Sequence, residues 1–465
     1  MASRRKSGES RLRPEESGRG RLFGVPEVRT SSRAPLDNDS VLRLSNEHEE
    51  IIMPPPAEDA AAAPELALRW EERPWEPRAA VATMLRSDRA RIGRPYRASV
   101  PPAIAALRFV LAPDVAAAAE DVRAEITRFD ADLGATFPGE FAPLASVLLR
   151  TESASSSQIE NITAGSRALA LAELGLTKHG SNAQLVVANV EAMQRAIELA
   201  DHITPDAILA VHAALMRGQG HAGPGAYRDE QVWIGGHDAS PHDAAFVPPH
   251  HSRVAPAIDD LCVFAHRTDL PLMAQAAIAH AQFETIHPFN DGNGRTGRAL
   301  VHAMLKHGNA TTRTTVPVSA GLLSDTSTYF DALTAYRGGD PNPVVTRFNE
   351  AAIAAIVNGR RLAADLHDID AQWRDQLTAR SDSAAWRVLP VLLSQPAVTS
   401  HLVQQQTGVS QPAADRALRQ LADAGIVHAK NEQGEQRRRN VVWRADAVIE
   451  ALDAFAERAR RRTPA

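Results

Sequence analysis

Cysteine is almost missing from this chain of 465 residues. Cys262 stands alone, which excludes an intrachain disulfide. Within DDLCVFAHR it reads as a small buried hydrophobe, with a reactive thiol as the lesser reading. Aromatic residues are scarce at 5%, and alanine is abundant, so much of the chain is expected to be helical. An excess of one charge is lacking too: the formal net charge of −5 makes no global case for nucleic acid or membrane. No apolar run reaches the roughly 18 residues of a membrane-crossing helix. MASRRKSGESRLRPEESGRG carries no hydrophobic segment behind its basic residues, so no secretory signal is expected and the cytoplasm is the expected location.

What is present suffices for a folded core, and the length suggests two or three domains. Residues 1–65 are rich in Ser, Arg, Glu, Pro and Ala and read as a disordered arm. Residues 66–100 are open: RWEERPWEPR either docks its two tryptophans on the body or is linker. From Pro101 to about residue 200 the periodicity is helical, with Ala118, Val122, Ile126 and Phe129 spaced along one face. A second helical pattern carries a serine cluster in its middle. Thr204 and Pro205 open a further helix as N-cap and first residue. Val232–Ile234 and Phe246–Val247 flank a Gly-Gly and Pro-rich turn, predicting a β-hairpin or extended flap. Residues 201–375 form the expected catalytic core. Residues 382–460 read as a separate winged helix-turn-helix, with a turn at Gly408 and a core including Val403, Val409, Ala414, Leu418, Leu421 and Ile426.

The densest chemistry lies in ETIHPFNDGNGRTGRALVHAML, residues 284–305. Pro288 disfavours helix at His287 and ends the preceding helix there. Gly292 and Gly294 are free to take positive φ and turn successive N–H groups towards one point. A helix starting near Arg295 adds its free N–H groups and the positive end of its dipole. Arg295 and Arg298 share a helical face, and Asp291 is an oxygen ligand of the kind Mg²⁺ accepts. A base, a metal carboxylate, an anion hole and two guanidinium groups are what phosphoryl or nucleotidyl transfer requires. A zinc site on His280 and His287 has neither thiolate nor HExxH to support it.

HPFNDGNGRTGR matches every fixed position of the Fic (filamentation induced by cAMP) motif, HPF-x-[D/E]-G-N-G-R-x-x-R. The resemblance extends through QFETI, GAYRDEQVWIGG, FVPPHHSRVAPAIDDL and VPVSAG, and covers about residues 95–375. It implies an all-helical fold with a small β-hairpin flap, and transfer of AMP from ATP to a Tyr, Ser or Thr hydroxyl of a protein, the chain itself included. On this resemblance His287 is the general base and Phe289 anchors the loop. Asp291 holds Mg²⁺ against the α- and β-phosphates. Gly292, Asn293 and Gly294 form the anion hole, with Thr296 and Gly297 in the same nucleotide-binding turn. Arg295 meets the β-phosphate and Arg298 the γ-phosphate. The flap at residues 232–249 aligns the target as an added strand. Tyr329-Phe330 stands where members often carry two tyrosines lining the nucleotide pocket, and Phe330 lacks one hydroxyl. Relatives with Lys after the motif's Asn phosphorylate instead; Gly294 favours AMP transfer, although the motif leaves other nucleotides open.

SSSQIEN, residues 155–161, contains Ser156, Glu160 and Asn161 in the spacing of the family's inhibitory helix, [S/T]-x-x-x-E-[G/N], placed N-terminal as in its class II. The expectation is that Glu160 pairs bidentately with Arg298 and denies it to the γ-phosphate. In some relatives this glutamate also serves removal of AMP. The C-terminal unit has Arg437, Arg438 and Arg439 in its wing, but Arg416 and Arg419 of its second helix are offset by Asp415 and Asp423. DNA contact and protein contact, dimerisation included, both stand. Two functions of different class follow: an AMP-transferring enzyme, or a DNA-binding regulator with a nucleotide-sensing core.

Overall fold

A computed structural model describes residues 65–77, 86–136, 141–219, 223–236, 240–430 and 441–460. The chain divides into two compact units, Met1–Ala57 and Glu58–Ala465, and every described residue lies in the second. The arm read from residues 1–65 falls almost wholly outside the described residues.

Of the two tryptophans in residues 66–100 one is docked and the other is partly exposed, and residues 78–85 lie outside the described residues. Strand β1 (Arg69–Pro74) is followed by a short helix, α1 (Arg86–Arg89), and pairs antiparallel with β2 (Pro95–Val100), from Arg69↔Val100 to Pro74↔Pro95. Trp75 is buried with Tyr96, Ala98 and Val247. Trp70 stays partly exposed, covered by the Arg97 guanidinium and set edge-on to Phe246.

The body is helical: α2 (Pro113–Thr136), α3 (Phe141–Ile159), α4 (Ser166–Glu173), α5 (Asn182–Glu198), α6 (Pro205–Leu215), α7 (Val254–Ala265), α8 (Leu272–Ile286), α9 (Asn293–His307), α10 (Val318–Leu323), α11 (Thr326–Arg337) and α12 (Asn342–Gln376). The buried stripe of α2 runs through Ala119, Val122, Ile126 and Phe129, whereas Ala118 faces outward. Helix α8 is buried along its length from Met273 to Ile286, flanked by α7, α9, α12 and α2. A helix buried on all sides lies in the centre of a core, and the loop of interest runs from the end of α8 into the start of α9. Thr204 caps α6 through Ala207 N–H, with Pro205 in the first turn.

The second helical pattern breaks in two. Helix α3 ends where Asn161 takes φ +62°, and Ile162 N–H returns to Ser157 O. That is a left-handed helix stop, for which Gly and Asn are the residues of choice. Within α3, Glu152, Ser153, Ser156 and Ser157 are fully buried, and Asn189 of α5 donates to Ser153 O and to Ser157 Oγ. Glu152 accepts from Ser319 N–H and Oγ and sits 2.8 Å from His302 of α9. A polar seam therefore locks α3 into the core.

The C-terminal elements are α13 (Ala384–Ser394), β3 (Ala397–Val398), α14 (Ser400–Thr407), α15 (Gln411–Asp423), β4 (His428–Lys430), β5 (Val442–Arg444) and α16 (Asp446–Arg460). Strand β5 lies between β3 and β4, antiparallel to both. Gly408, at φ +70°, closes α14, and Val403, Val409, Ala414, Leu418, Leu421 and Ile426 are buried. Arg437–Arg439 lie outside the described residues. These elements share one core with the body: α13 packs on α3, and α16 on α12, α10, α3 and α4. Arg150 of α3 donates to Glu173 at 2.6 Å, to Ser394 O at 2.6 Å and to Gln395 at 3.2 Å.

Candidate active site

His287 ends α8 in the left-handed region, φ 50° and ψ 63°, with its N–H on Phe283 O at 2.8 Å. The turn from there into α9 is closed by Asn293, whose side chain accepts from Phe289 N–H and donates to Phe289 O, both at 2.9 Å. The Asn293 amide thus has a structural duty in the loop, leaving its backbone to the anion hole expected of it. Helix α9 begins at Asn293, two residues before the expected start. Of the two glycines expected to take positive φ only Gly292 does, at +77°, where Leu215 and Met216 also leave no room for a side chain. Gly294 is helical, and its need is proximity: an added Cβ would strike Glu160 Oε1 and lie 2.7 Å from Arg298 Nη1.

Both arginines are buried and both meet Glu160. Arg295 Nε donates to Glu160 Oε2 at 2.7 Å, and Arg298 Nη2 donates to Oε1 at 2.8 Å. Arg298 also donates from Nε to Ser156 Oγ and from Nη2 to Ser156 O, each at 2.8 Å. The bidentate pairing expected between Glu160 and Arg298 is therefore corrected. Ser156 occupies the Nε edge of that guanidinium, and the carboxylate divides itself between two cations. Burial opposes the charge on Arg298, but Glu160, with Tyr329 and Glu284 near by, outweighs it and raises the pKa. Arg295 Nη1 is buried without a hydrogen-bond partner among the described residues, a donor that calls for a ligand.

Sequence patterns missed three supports of this loop. His212 of α6 stacks on Phe289 with ring centroids 3.6 Å apart. It accepts Gly225 N–H at Nδ1, which puts its own proton on Nε2, 3.1 Å from Asp291 O. Burial pulls its pKa down to about 4, so it braces the loop as a neutral ring. Arg228 is buried and spends its guanidinium on backbone carbonyls: its Nε donates to His287 O at 2.8 Å, its Nη1 to Glu230 O and its Nη2 to Pro249 O at 2.5 Å. Burial lowers its pKa to about 10. It ties His287 to the flap. The third is Glu284, one turn before His287, with Oε2 3.7 Å from His287 Nδ1.

Glu160, Glu284, His287, Arg295 and Arg298 line a cavity of about 430 Å³ with Trp233 and Ile234 of the flap, Tyr329 and Phe330. Ile234 and Phe246 form the bridge of the flap, and Ser99 N–H donates to Val247 O, so the β1–β2 pair supports it. Residues 237–239 of the flap lie outside the described residues. Tyr329 is buried and hydrogen-bonded to His280 Nε2 at 2.8 Å, while Phe330 is about half exposed at the mouth. Thr296 and Gly297 are not in the cavity wall. Thr296 borders a small apolar cavity with Leu300 and Ala303, and a Cβ on Gly297 would press on Phe283 and His280. The role of Asn161 is to stop α3. Cys262 is buried, its thiol pushed up to about 12 by that burial, so it stays protonated. Among the described residues no three His, Cys, Asp or Glu side chains cluster to hold a metal ion. Asp291 is half exposed at the cavity edge. One carboxylate suits Mg²⁺ when substrate phosphates and water complete its shell.

Fold and site define a helical protein with a Gly-rich loop between two central helices and a glutamate held between two arginines beside it. Residues 202–305 match the Fic/DOC family and residues 119–198 the Fic/DOC family N-terminal region. Among curated proteins it is 30% identical over 155 residues to the protein adenylyltransferase Fic of Nematostella vectensis, covering 32% of each chain. It is 36% identical over 107 residues to that of Drosophila melanogaster, covering 22% of this chain and 20% of the fly protein. The match thus spans a third or less of these relatives. A Fic family protein from Desulfovibrio desulfuricans G20 aligns over 72% of this chain and 97% of its own, at 22% identity and a TM-score of 0.46. No helix among the described residues is long and apolar enough to cross a membrane.

Proposed function

We propose that this chain is a protein adenylyltransferase, moving AMP from ATP to a hydroxyl side chain of a protein and held inactive by Glu160. One observation carries the reading: the Glu160 carboxylate lies between Arg295 and Arg298 at the N-terminus of α9, in a cavity that His287 also lines. A carboxylate held there stands in for phosphate oxygens. In the transfer, His287 takes the proton of the target hydroxyl, whose oxygen bonds to the α-phosphorus while pyrophosphate leaves. Backbone N–H groups at Gly292–Gly294 and the two arginines hold the phosphates, and little else is asked of the protein than position and charge. Asp291 would hold Mg²⁺, which supplies charge neutralisation to the phosphates. The flap edge offers backbone groups to an extended target segment. Incorporation of α-labelled AMP into protein by Glu160→Gly material tests the assignment, and its absence with ATP and Mg²⁺ counts against it.

We read the C-terminal elements as a winged helix-turn-helix that docks a protein. The exposed face of α15 presents Arg416 and Arg419 beside Asp415, and Arg419 Nε is turned onto Asp415 O, which weakens a phosphate-binding role.

A further inference from the structure

A histidine that accepts a proton at one ring nitrogen must carry its own proton on the other. The group that decides this for His287 lies one turn back on α8. Glu284 Oε2 is 3.7 Å from His287 Nδ1, and the side chains are 10% and 19% exposed. That separation is longer than a hydrogen bond. Accordingly Glu284 Oε1 and His287 Nδ1 both lack a hydrogen-bond partner among the described residues. A buried carboxylate oxygen without a donor is costly, and His287 Nδ1, 3.7 Å from the other oxygen, is a group from which the carboxylate can gain one. Catalytic hydrogen bonds are often long before substrate binds and tighten afterwards.

Four other polar or charged side chains lie around Glu284. His280 of α8 is fully buried, held neutral at about 4 by that burial, and spends Nε2 on Tyr329. Tyr329 of α11 is kept protonated by burial. Arg298 of α9 is committed to Ser156 and Glu160. Arg337 of α11 reaches only the Glu284 backbone carbonyl, at 3.5 Å. Burial would raise the Glu284 pKa, but His287, His280 and Arg298 outweigh it and hold the carboxyl at about 2. An ionised carboxylate only accepts hydrogen bonds. It therefore selects the His287 tautomer protonated at Nδ1.

We propose that Glu284 is the positioning residue that keeps the His287 proton on Nδ1, leaving Nε2 to accept the proton of the target hydroxyl. The proposal rests on the reading of His287 as general base. The hydroxyl proton moves to Nε2, the oxygen bonds to the α-phosphorus, and the bridging P–O bond to the β-phosphate breaks with its electron pair leaving on pyrophosphate. The imidazolium so formed faces the Glu284 carboxylate, which stabilises it. Replacing such a carboxylate by its amide preserves shape and favours the wrong tautomer.

The test is ¹⁵N NMR of histidine-labelled full-length protein at about pH 8, where free imidazole is neutral, with His287 assigned by its loss in His287→Ala. The wild type is expected to carry its proton on Nδ1, and Glu284→Gln to move it to Nε2. In the Glu160→Gly background, Glu284→Gln is expected to lower kcat for AMP transfer by roughly 10²-fold with KM for ATP unchanged. Glu284→Asp, which retains the acceptor, should keep the wild-type tautomer and guards against a Gln variant that fails to melt cooperatively. A wild-type His287 protonated at Nε2, or a folded Glu284→Gln with an unmoved tautomer, overturns the proposal. A tautomer that follows Glu284 in protein that never labels its targets upholds the positioning role and instead removes the transferase reading.

Discussion

Glu160 gives one carboxylate oxygen to each of two arginines, Oε2 to Arg295 Nε at 2.7 Å and Oε1 to Arg298 Nη2 at 2.8 Å. On the proposed function, releasing it frees both arginines for phosphate together. Glu160→Gly should therefore raise AMP transfer, self-modification included, by roughly tenfold or more, the equivalent of about 1.4 kcal/mol of positioning. Arg298→Ala in the same background should cancel the gain, a double-mutant comparison that each change alone leaves ambiguous. Labelling with ATP and Mg²⁺ is the measurement, and a Glu160→Gly variant no more active than wild type removes the autoinhibition.

His287→Ala should abolish transfer while leaving ATP affinity largely intact. A general base contributes roughly 10²–10⁴-fold to rate and little to ground-state binding. Radiolabel transfer and calorimetric titration, run on the same material, separate the two quantities. Retained activity would end the mechanism.

Asp291→Ala should weaken Mg²⁺-dependent ATP binding more than binding without metal, since Asp291 is the half-exposed carboxylate within the loop at the cavity edge. Calorimetry with and without Mg²⁺ reads the difference. An unchanged metal dependence moves the cation to another residue.

Arg150 ties the far side of α3 to Glu173, Ser394 and Gln395. It is buried, and its removal strands those acceptors, at a cost of about 1–3 kcal/mol. Arg150→Ala should loosen α3, raise hydrogen exchange of its amides and increase AMP transfer, although it touches nothing in the cavity. Faster exchange in α3 with unaltered transfer would show that Glu160 holds without this clamp.

His212 and His280 are both held neutral by burial at about 4, below the 6.5 of a free imidazole. The unfolded chain takes up their protons first, so the stability they contribute is complete above pH 6.5 and declines as pH falls towards 4. Each accounts for about 1.4 kcal/mol per pH unit inside that window. His212→Gln should lessen the pH slope of urea-unfolding free energy by about that amount. A slope that does not change would place the acid sensitivity elsewhere.

Much of the site was legible because its chemistry is local. Pro288 after His287, Gly292 at a positive φ and two arginines a helical turn apart dictate a turn, an anion-binding helix end and two cations from short-range geometry alone. The same holds for the Thr204 cap, whereas Ser156 and Glu160 stood out only through their match to a family pattern. Supports drawn from distant segments left no such trace. His212, Arg228 and the β1–β2 pair reach the loop or the flap across separations that periodicity does not register.

The sequence by itself determined the helical class and a Gly-rich turn with two arginines a helical turn apart behind it. Each of these follows from backbone preferences and side-chain spacing within a few residues. Only the tertiary structure decided how Glu160 meets those arginines. Ser156 takes one edge of Arg298, so Glu160 must divide between Arg298 and Arg295, and Gly294 must lack a side chain for it to fit. It likewise decided that the C-terminal elements share a core with α3 and that Glu284 faces His287. Partners of a buried charge are fixed by which segments packing brings together, and desolvation then sets which contacts matter.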